Sequence, residues 1–186
     1  MVPLTAWTNF YVIIGSSAGA LTGLTFVVIS FIVGRQTGSE RGGLNAFTTP
    51  IVVHFTVVLL VAALLSAPWT GLGPVTLLLS LGSLGALGYA CIVVWRLGHV
   101  LSYQPEWDDW LWYAALPLLA YTLLLLSALL LLVHTTQSLF GAAAALLLLL
   151  AVGIRDAWDV VTYLAFQPVT QATNDTDEQP SGAEPA

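Results

Sequence analysis

Long stretches without ionisable side chains dominate this sequence of 186 residues. Five of them are long enough to cross a bilayer, which takes about 20 apolar residues in a helix. The chain is 58% hydrophobic and only 8% charged, whereas soluble domains carry roughly 25% charged residues because their surface faces water. We therefore predict a membrane protein whose surface is solvated by lipid tails.

The apolar runs are continuous rather than alternating, which indicates helices and not barrel strands. Backbone groups in lipid must also bond within their own element unless a barrel closes. We predict an all-α polytopic helix bundle with five transmembrane helices, at residues 8–33, 50–67, 75–95, 111–133 and 139–155. Helix is expected to continue to residue 166, so that 1–166 form one domain. Residues 167–186 are expected to be a disordered acidic cytoplasmic tail.

The chain has four cationic side chains, all arginine. Five crossings place Arg35, Arg41, Arg96 and Arg155 on one side, and the opposite loops contain neither arginine nor lysine. The positive-inside rule then predicts that the N-terminus is outside and the C-terminus is in the cytoplasm. The first run has no basic segment before it and is too long for a signal peptide, so we interpret it as a retained span.

Two prolines predict local features of the helices in which they lie. Thr49 is suited to cap the second span, and Pro50 then falls in its first turn, where a missing N–H is harmless. Pro117 lies inside the fourth span and should bend it, because it cannot donate to the carbonyl of Tyr113.

Small residues repeat every four positions in the first span, at Gly15, Gly19 and Gly23. Such faces let helix backbones approach closely in lipid, where no hydrophobic effect drives association. The third span has a weaker version at Gly82 and Ala86. The pattern is consistent with a dimer interface or with tight packing inside one subunit, and we favour the second.

His54 lies about one turn inside the second span, at a depth that Tyr89 and Tyr121 reach on the third and fourth spans. An ionisable group there is expected to face the bundle interior, because lipid exposure of charge costs about 2.5 kcal/mol or more. It is either part of a proton or metal site or a neutral histidine that is hydrogen-bonded between helices. We favour the neutral histidine.

The segment Arg155-Asp156-Ala157-Trp158-Asp159 contains the other polar candidates. Helical spacing predicts that Arg155, Asp156 and Asp159 share one face. That face lies in water if the helix is interfacial, which we favour. If the helix lies deeper, Asp156 or Asp159 meets His54 in a buried polar cluster, where a carboxylate could orient the imidazole.

Several function classes lack support. The histidines match no zinc spacing, although His99 could reach the region of Asp156 and Asp159; His134 lies too far across the membrane. We predict no metal and no cofactor. There is no phosphate loop, no nucleophile arrangement and no basic patch for nucleic acid, so we expect a protein that is not an enzyme.

The stretch from Phe10 to Val27, with its Gly15-Ser16-Ser17-Ala18-Gly19-Ala20-Leu21-Thr22-Gly23 core, resembles the first helix of a group of small bacterial multi-pass membrane proteins of uncharacterised function. The segment from Arg155 to Asp159 is similar to a second landmark of that group. The resemblance implies a bacterial inner membrane and supplies no substrate and no catalytic residue.

Three functions therefore compete. The first is a small accessory, regulatory or oligomeric membrane subunit, whose partners are the lipid bilayer and a second copy or another membrane protein. The second is a small transporter or proton-coupled channel with a polar site at His54, Asp156 and Asp159. The third is a metal- or haem-binding membrane protein.

The orientation can be tested with a reporter enzyme fused after Ala186 that is active only outside the cytoplasm. We expect this fusion to be inactive, because the arginine-bearing side should stay in the cytoplasm. Reporter activity would reverse the predicted topology.

Overall fold

The computed structural model describes residues 3–35, 41–100 and 110–166, with side-chain surroundings for 4–30, 49–95 and 110–162. A 3₁₀ turn at Pro3–Trp7 precedes the first helix, and a π-helical turn at Leu111–Ala115 precedes the fourth. The described residues form five α-helices, namely α1 (Thr8–Arg35), α2 (Arg41–Ser66), α3 (Leu72–Val100), α4 (Leu116–Leu130) and α5 (Thr135–Phe166). The described part of the chain contains no strand.

Each helix, counted with its adjoining turn, includes a segment long and apolar enough to cross a membrane. These segments are Leu4–Ser30, Thr49–Ser66, Leu72–Trp95, Leu111–Leu130 and Thr135–Thr162. The predicted all-α class is thereby confirmed for the described residues, and so is the presence among them of five helices long and apolar enough to span a membrane. The expected tail at 167–186 lies outside the described residues.

The start of the second helix differs from the sequence-based expectation. Helix α2 begins at Arg41, so Pro50 lies in its interior and not in its first turn. A proline removes one backbone hydrogen bond, and α2 continues through that loss. The apolar run therefore indicated where α2 enters the hydrocarbon and not where its helix begins.

The helices form a bundle in which α2 packs against α1 and α5, and α4 packs against α3 and α5. Helices α2 and α4 face each other across the interior and are bridged by long side chains. Helix α1 lies at the edge of the bundle, mainly against α2. Its Tyr11 hydroxyl donates to the backbone carbonyl of Leu139 on α5, at 3.1 Å.

The glycine face of α1 packs against another helix of the same chain, α2. A Cβ added at Gly15 would lie 3.0 Å from Cβ of Ala62, and one at Gly19 would lie 3.2 Å from Leu59 on α2. Gly23 has no neighbour within 4 Å, and neither does Gly82 on α3. Ala86 is buried. Close approach therefore occurs over the first two glycines of α1.

The difference between Gly15 and Gly23 gives a matched test of this packing. We expect Gly15→Leu to destabilise the detergent-purified protein by about 1–3 kcal/mol, because the added side chain pushes α1 away from Ala62. Gly23→Leu should leave the thermal unfolding midpoint nearly unchanged. Equal midpoints for the two variants would show that Gly15 has no special part in the contact.

Candidate functional site

A small cavity lies among α2, α3, α4 and α5, with about 20 Å³ open to the centre of a water molecule. That space is enough for about one water molecule. Most of the surrounding side chains are apolar, and the polar ones come from α2, α3, α5 and the π-helical turn before α4. The lining residues are Pro50, His54, Tyr89, Ala90, Val93, Val94, Tyr113, Ala114, Pro117 and Asp156.

Helices α2, α3 and α5 bring His54, Tyr89 and Asp156 together at this cavity. Asp156 directly follows Arg155, and Tyr89 lies seven residues before Arg96 on its helix. The cavity therefore lies towards the end of the bundle at which these arginines occur.

His54 is 4% exposed and is paired with a phenol on the facing helix. Its Nδ1 lies 2.7 Å from the hydroxyl oxygen of Tyr121, which is fully buried. The hydroxyl donates to Nδ1 in one imidazole tautomer and accepts from it in the other. This hydrogen bond satisfies one nitrogen of His54, as expected for a histidine bonded between helices, while the same ring lines the cavity.

Asp156 is the least satisfied polar side chain of the site. It is 1% exposed, and neither carboxyl oxygen has a hydrogen-bond partner among the described residues. Burial of a polar group without a partner costs several kcal/mol in apolar surroundings, and burial of a charge costs more. A bound proton, water or cation at the cavity would offset that cost.

The expectation that Arg155, Asp156 and Asp159 share one face is wrong. Arg155 and Asp159 form an ion pair one turn apart, and their side chains are 41% and 34% exposed. The Arg155 guanidinium also lies over the ring of Trp112, 5.6 Å from its centroid. Asp156 points instead into the bundle, because consecutive helical residues are rotated by about 100° and do not face each other.

The turn that precedes α4 contributes directly to the cavity and was not found from the sequence. Residues Leu111–Ala115 form a π-helical turn, in which the N–H of Leu116 bonds to the carbonyl of Leu111. Tyr113 and Ala114 of this turn line the cavity beside Pro117. Pro117 signalled an irregularity, but nothing in the residue types distinguishes a π turn from a simple bend.

Helix α5 approaches α2 closely beside His54 and Asp156, and the sequence did not predict this contact. A Cβ added at Gly153 would lie 2.6 Å from the ring of Phe55, the residue next to His54. Gly153 precedes Asp156 by three residues, which is nearly one turn. A glycine outside any repeat, at the end of the leucine-rich part of α5, was the available signal.

The structure gathers no group of three or more potential metal-ligating side chains among the residues it describes. His134 is exposed near the start of α5, and the side chain of His99 lies outside the described surroundings. His54 and Asp156 are two donors at one cavity, whereas a structural zinc site takes four.

Comparisons with known proteins add no assignment: no family model, no curated protein and no solved structure matches this chain. Functional argument therefore starts from the cavity and its side chains.

The pairing of His54 with Tyr121 has a measurable consequence. We expect Tyr121→Phe to lower the free energy of unfolding by about 1–3 kcal/mol, because it leaves a buried imidazole nitrogen without its partner. Adding His54→Leu to that variant should cost less than it does in the wild-type background, since the polar pair is then gone. Additive losses in chemical denaturation would contradict coupling between the two side chains.

Proposed function

We propose that this chain is a non-enzymatic membrane protein that binds a proton at an intramembrane site formed by Asp156 and His54, as a small transporter of protons. The observation that carries the proposal is the buried carboxyl of Asp156, which lines a cavity and has no partner there. Ionisable groups inside membrane spans are costly, and they commonly mark proton or ion pathways.

The size and lining of the cavity favour a proton over larger cargo. About 20 Å³ does not admit an organic substrate. A hard metal cation such as Ca²⁺ takes six to eight oxygen ligands, whereas the lining offers one carboxylate among mainly alanine, valine and proline. A proton needs only one acceptor oxygen, and the neighbouring water-sized space can supply or remove it.

The interior beyond the site supports a carrier rather than an open pore. One turn further along α2 and α4 the interior is filled by Val58 and Leu124, and two turns along α5 it is filled by Leu149. All three side chains are fully buried. A route past them requires helix movement, which is the behaviour of a transporter with alternating access.

Location and orientation belong to the same proposal. The arginine distribution favours an outside N-terminus and a cytoplasmic C-terminus, and the resemblance of α1 to small bacterial multi-pass proteins favours a bacterial inner membrane. In this orientation the cavity lies towards the cytoplasmic face, because its lining residues Tyr89 and Asp156 are close in sequence to Arg96 and Arg155.

Association with a second copy or another membrane protein is a second proposal. Gly82, Gly85 and Gly88 on α3 are exposed and have no neighbour within 4 Å. Exposed small residues permit close helix contact in lipid. The oligomeric state of the detergent-purified protein decides this proposal, and a strictly monomeric protein without bound partners contradicts it.

Proton transport can be measured in liposomes that contain the purified protein and a pH-sensitive dye, under an imposed membrane potential. We expect wild-type protein to acidify or alkalinise the lumen according to the sign of the potential. Asp156→Asn and His54→Ala should abolish the flux, because they remove the proton acceptor and its polar neighbour.

His134→Ala is the matched control, since it removes an exposed histidine at the opposite end of the bundle. It should retain wild-type flux. Unchanged helix content in circular dichroism shows that each variant is folded. Flux that persists in folded Asp156→Asn, or an inactive wild-type protein, would overturn the transport proposal.

A further inference from the structure

Arg155, the residue next to Asp156, already has partners of its own. The guanidinium of Arg155 pairs with the carboxylate of Asp159 and rests over Trp112 of the π turn. Both partners hold it at the partly exposed side of α5, while Asp156, about 100° around the helix, is buried. A cation thus sits one residue away from an unpartnered carboxyl without neutralising it by contact.

Each helix at the cavity carries a titratable or charged group that lines the cavity, neighbours Asp156 on α5, or is hydrogen-bonded to a lining residue. Helix α2 supplies His54, and α3 supplies Tyr89. The π turn supplies Tyr113, and α4 supplies Tyr121, which is bonded to His54. Helix α5 supplies Arg155 and Asp159, and α1 contributes no lining residue. Arg155 and Asp159 are the oppositely charged members of this set, and they are paired.

We infer that the Arg155–Asp159 ion pair is a charge-balancing element that sets the proton affinity of Asp156. The inference rests on the proposed proton site. In the chemical step a proton moves from water onto a carboxyl oxygen of Asp156 and later returns to water. Arg155 and Asp159 do not exchange the proton; they act as positioning residues through their field.

The sign of the effect follows from Coulomb's law. The positive field of Arg155 favours ionised Asp156, and the negative field of Asp159 opposes it. While both charges are present their effects largely cancel. When one charge is removed, the field of the other is no longer offset. The two single neutralisations therefore change the proton affinity of Asp156 in opposite directions. Loss of a purely structural contact would instead change the site in the same direction for both variants.

The test is an infrared titration of the full-length protein in detergent. It follows the C=O stretching band of protonated carboxylic acids, and the part that disappears in Asp156→Asn belongs to Asp156. In Asp159→Asn we expect the midpoint of that band to move to lower pH by about 0.5–1 unit, a roughly three- to ten-fold weaker affinity for protons. In Arg155→Gln it should move to higher pH by a similar amount, and in the double variant it should return close to the wild-type midpoint.

Charge-retaining variants separate field from packing. Arg155→Lys and Asp159→Glu should keep the wild-type midpoint, even if they lower thermal stability. Midpoints that move in the same direction in both neutralised variants, or not at all, would overturn the inference. So would a shift in Arg155→Lys as large as that in Arg155→Gln.

The two proposals fail in different ways. If the Asp156 band shows the expected opposite shifts but the protein carries no proton flux in liposomes, the inference is supported and the transport proposal is wrong. If the flux depends on Asp156 but the pH midpoint of its infrared band is the same in the Arg155 and Asp159 variants, the transport proposal is supported and the inference is wrong. A wild-type protein without any Asp156 band removes the proton site and the inference with it.

Discussion

The absence of water from the bilayer interior is the constraint on which this structure depends. Each backbone N–H and C=O inside the hydrocarbon must bond within its own helix, and this leaves continuous helices as the form of all five spans. The same constraint acts on side chains. The Tyr121 hydroxyl bridges to His54, the Tyr11 hydroxyl donates to a backbone carbonyl, and hydroxyls such as Thr22 bond to the carbonyl one turn back on their own helix. Among the described residues a few buried polar groups have no such partner, and Asp156 is the one of them that can carry a charge.

Sequence reasoning found what this constraint controls. Helix class, the number of spans and the polar residues His54 and Asp156 follow from where charge is missing and where it interrupts an apolar run. The detailed placement of Asp156 did not follow. Spacing grouped it with Arg155 and Asp159, yet the ion pair joins the residues four apart, and Asp156 lies about 100° around the helix from Arg155. Whether that direction is buried depends on the neighbouring helices, and these are not visible in local spacing.

The close contacts between helices could also not all be predicted from the sequence. Gly15, Gly19 and Gly153 each allow a neighbouring helix to approach, and of these only Gly15 and Gly19 belong to a visible repeat. Gly153 has its effect because Phe55 occupies the space that a side chain would need. That pairing requires the relative register of α2 and α5, which no local pattern specifies. The glycine that adjoins the candidate site was therefore the one without a repeat to indicate it.

The π turn before α4 has a consequence for how this bundle can vary. A wider turn accommodates one extra residue, and one residue corresponds to a rotation of about 100° around a helix. The first turn of this segment can therefore present Trp112 to Arg155 while the helix that follows keeps Tyr121 towards His54. Insertion or loss of a residue at Leu111–Ala115 would change the aromatic residues at the cavity and beside Arg155, whereas the hydrogen bond between His54 and Tyr121 lies outside that turn. The turn is thus a point at which the lining of the cavity can vary separately from the contact between α2 and α4.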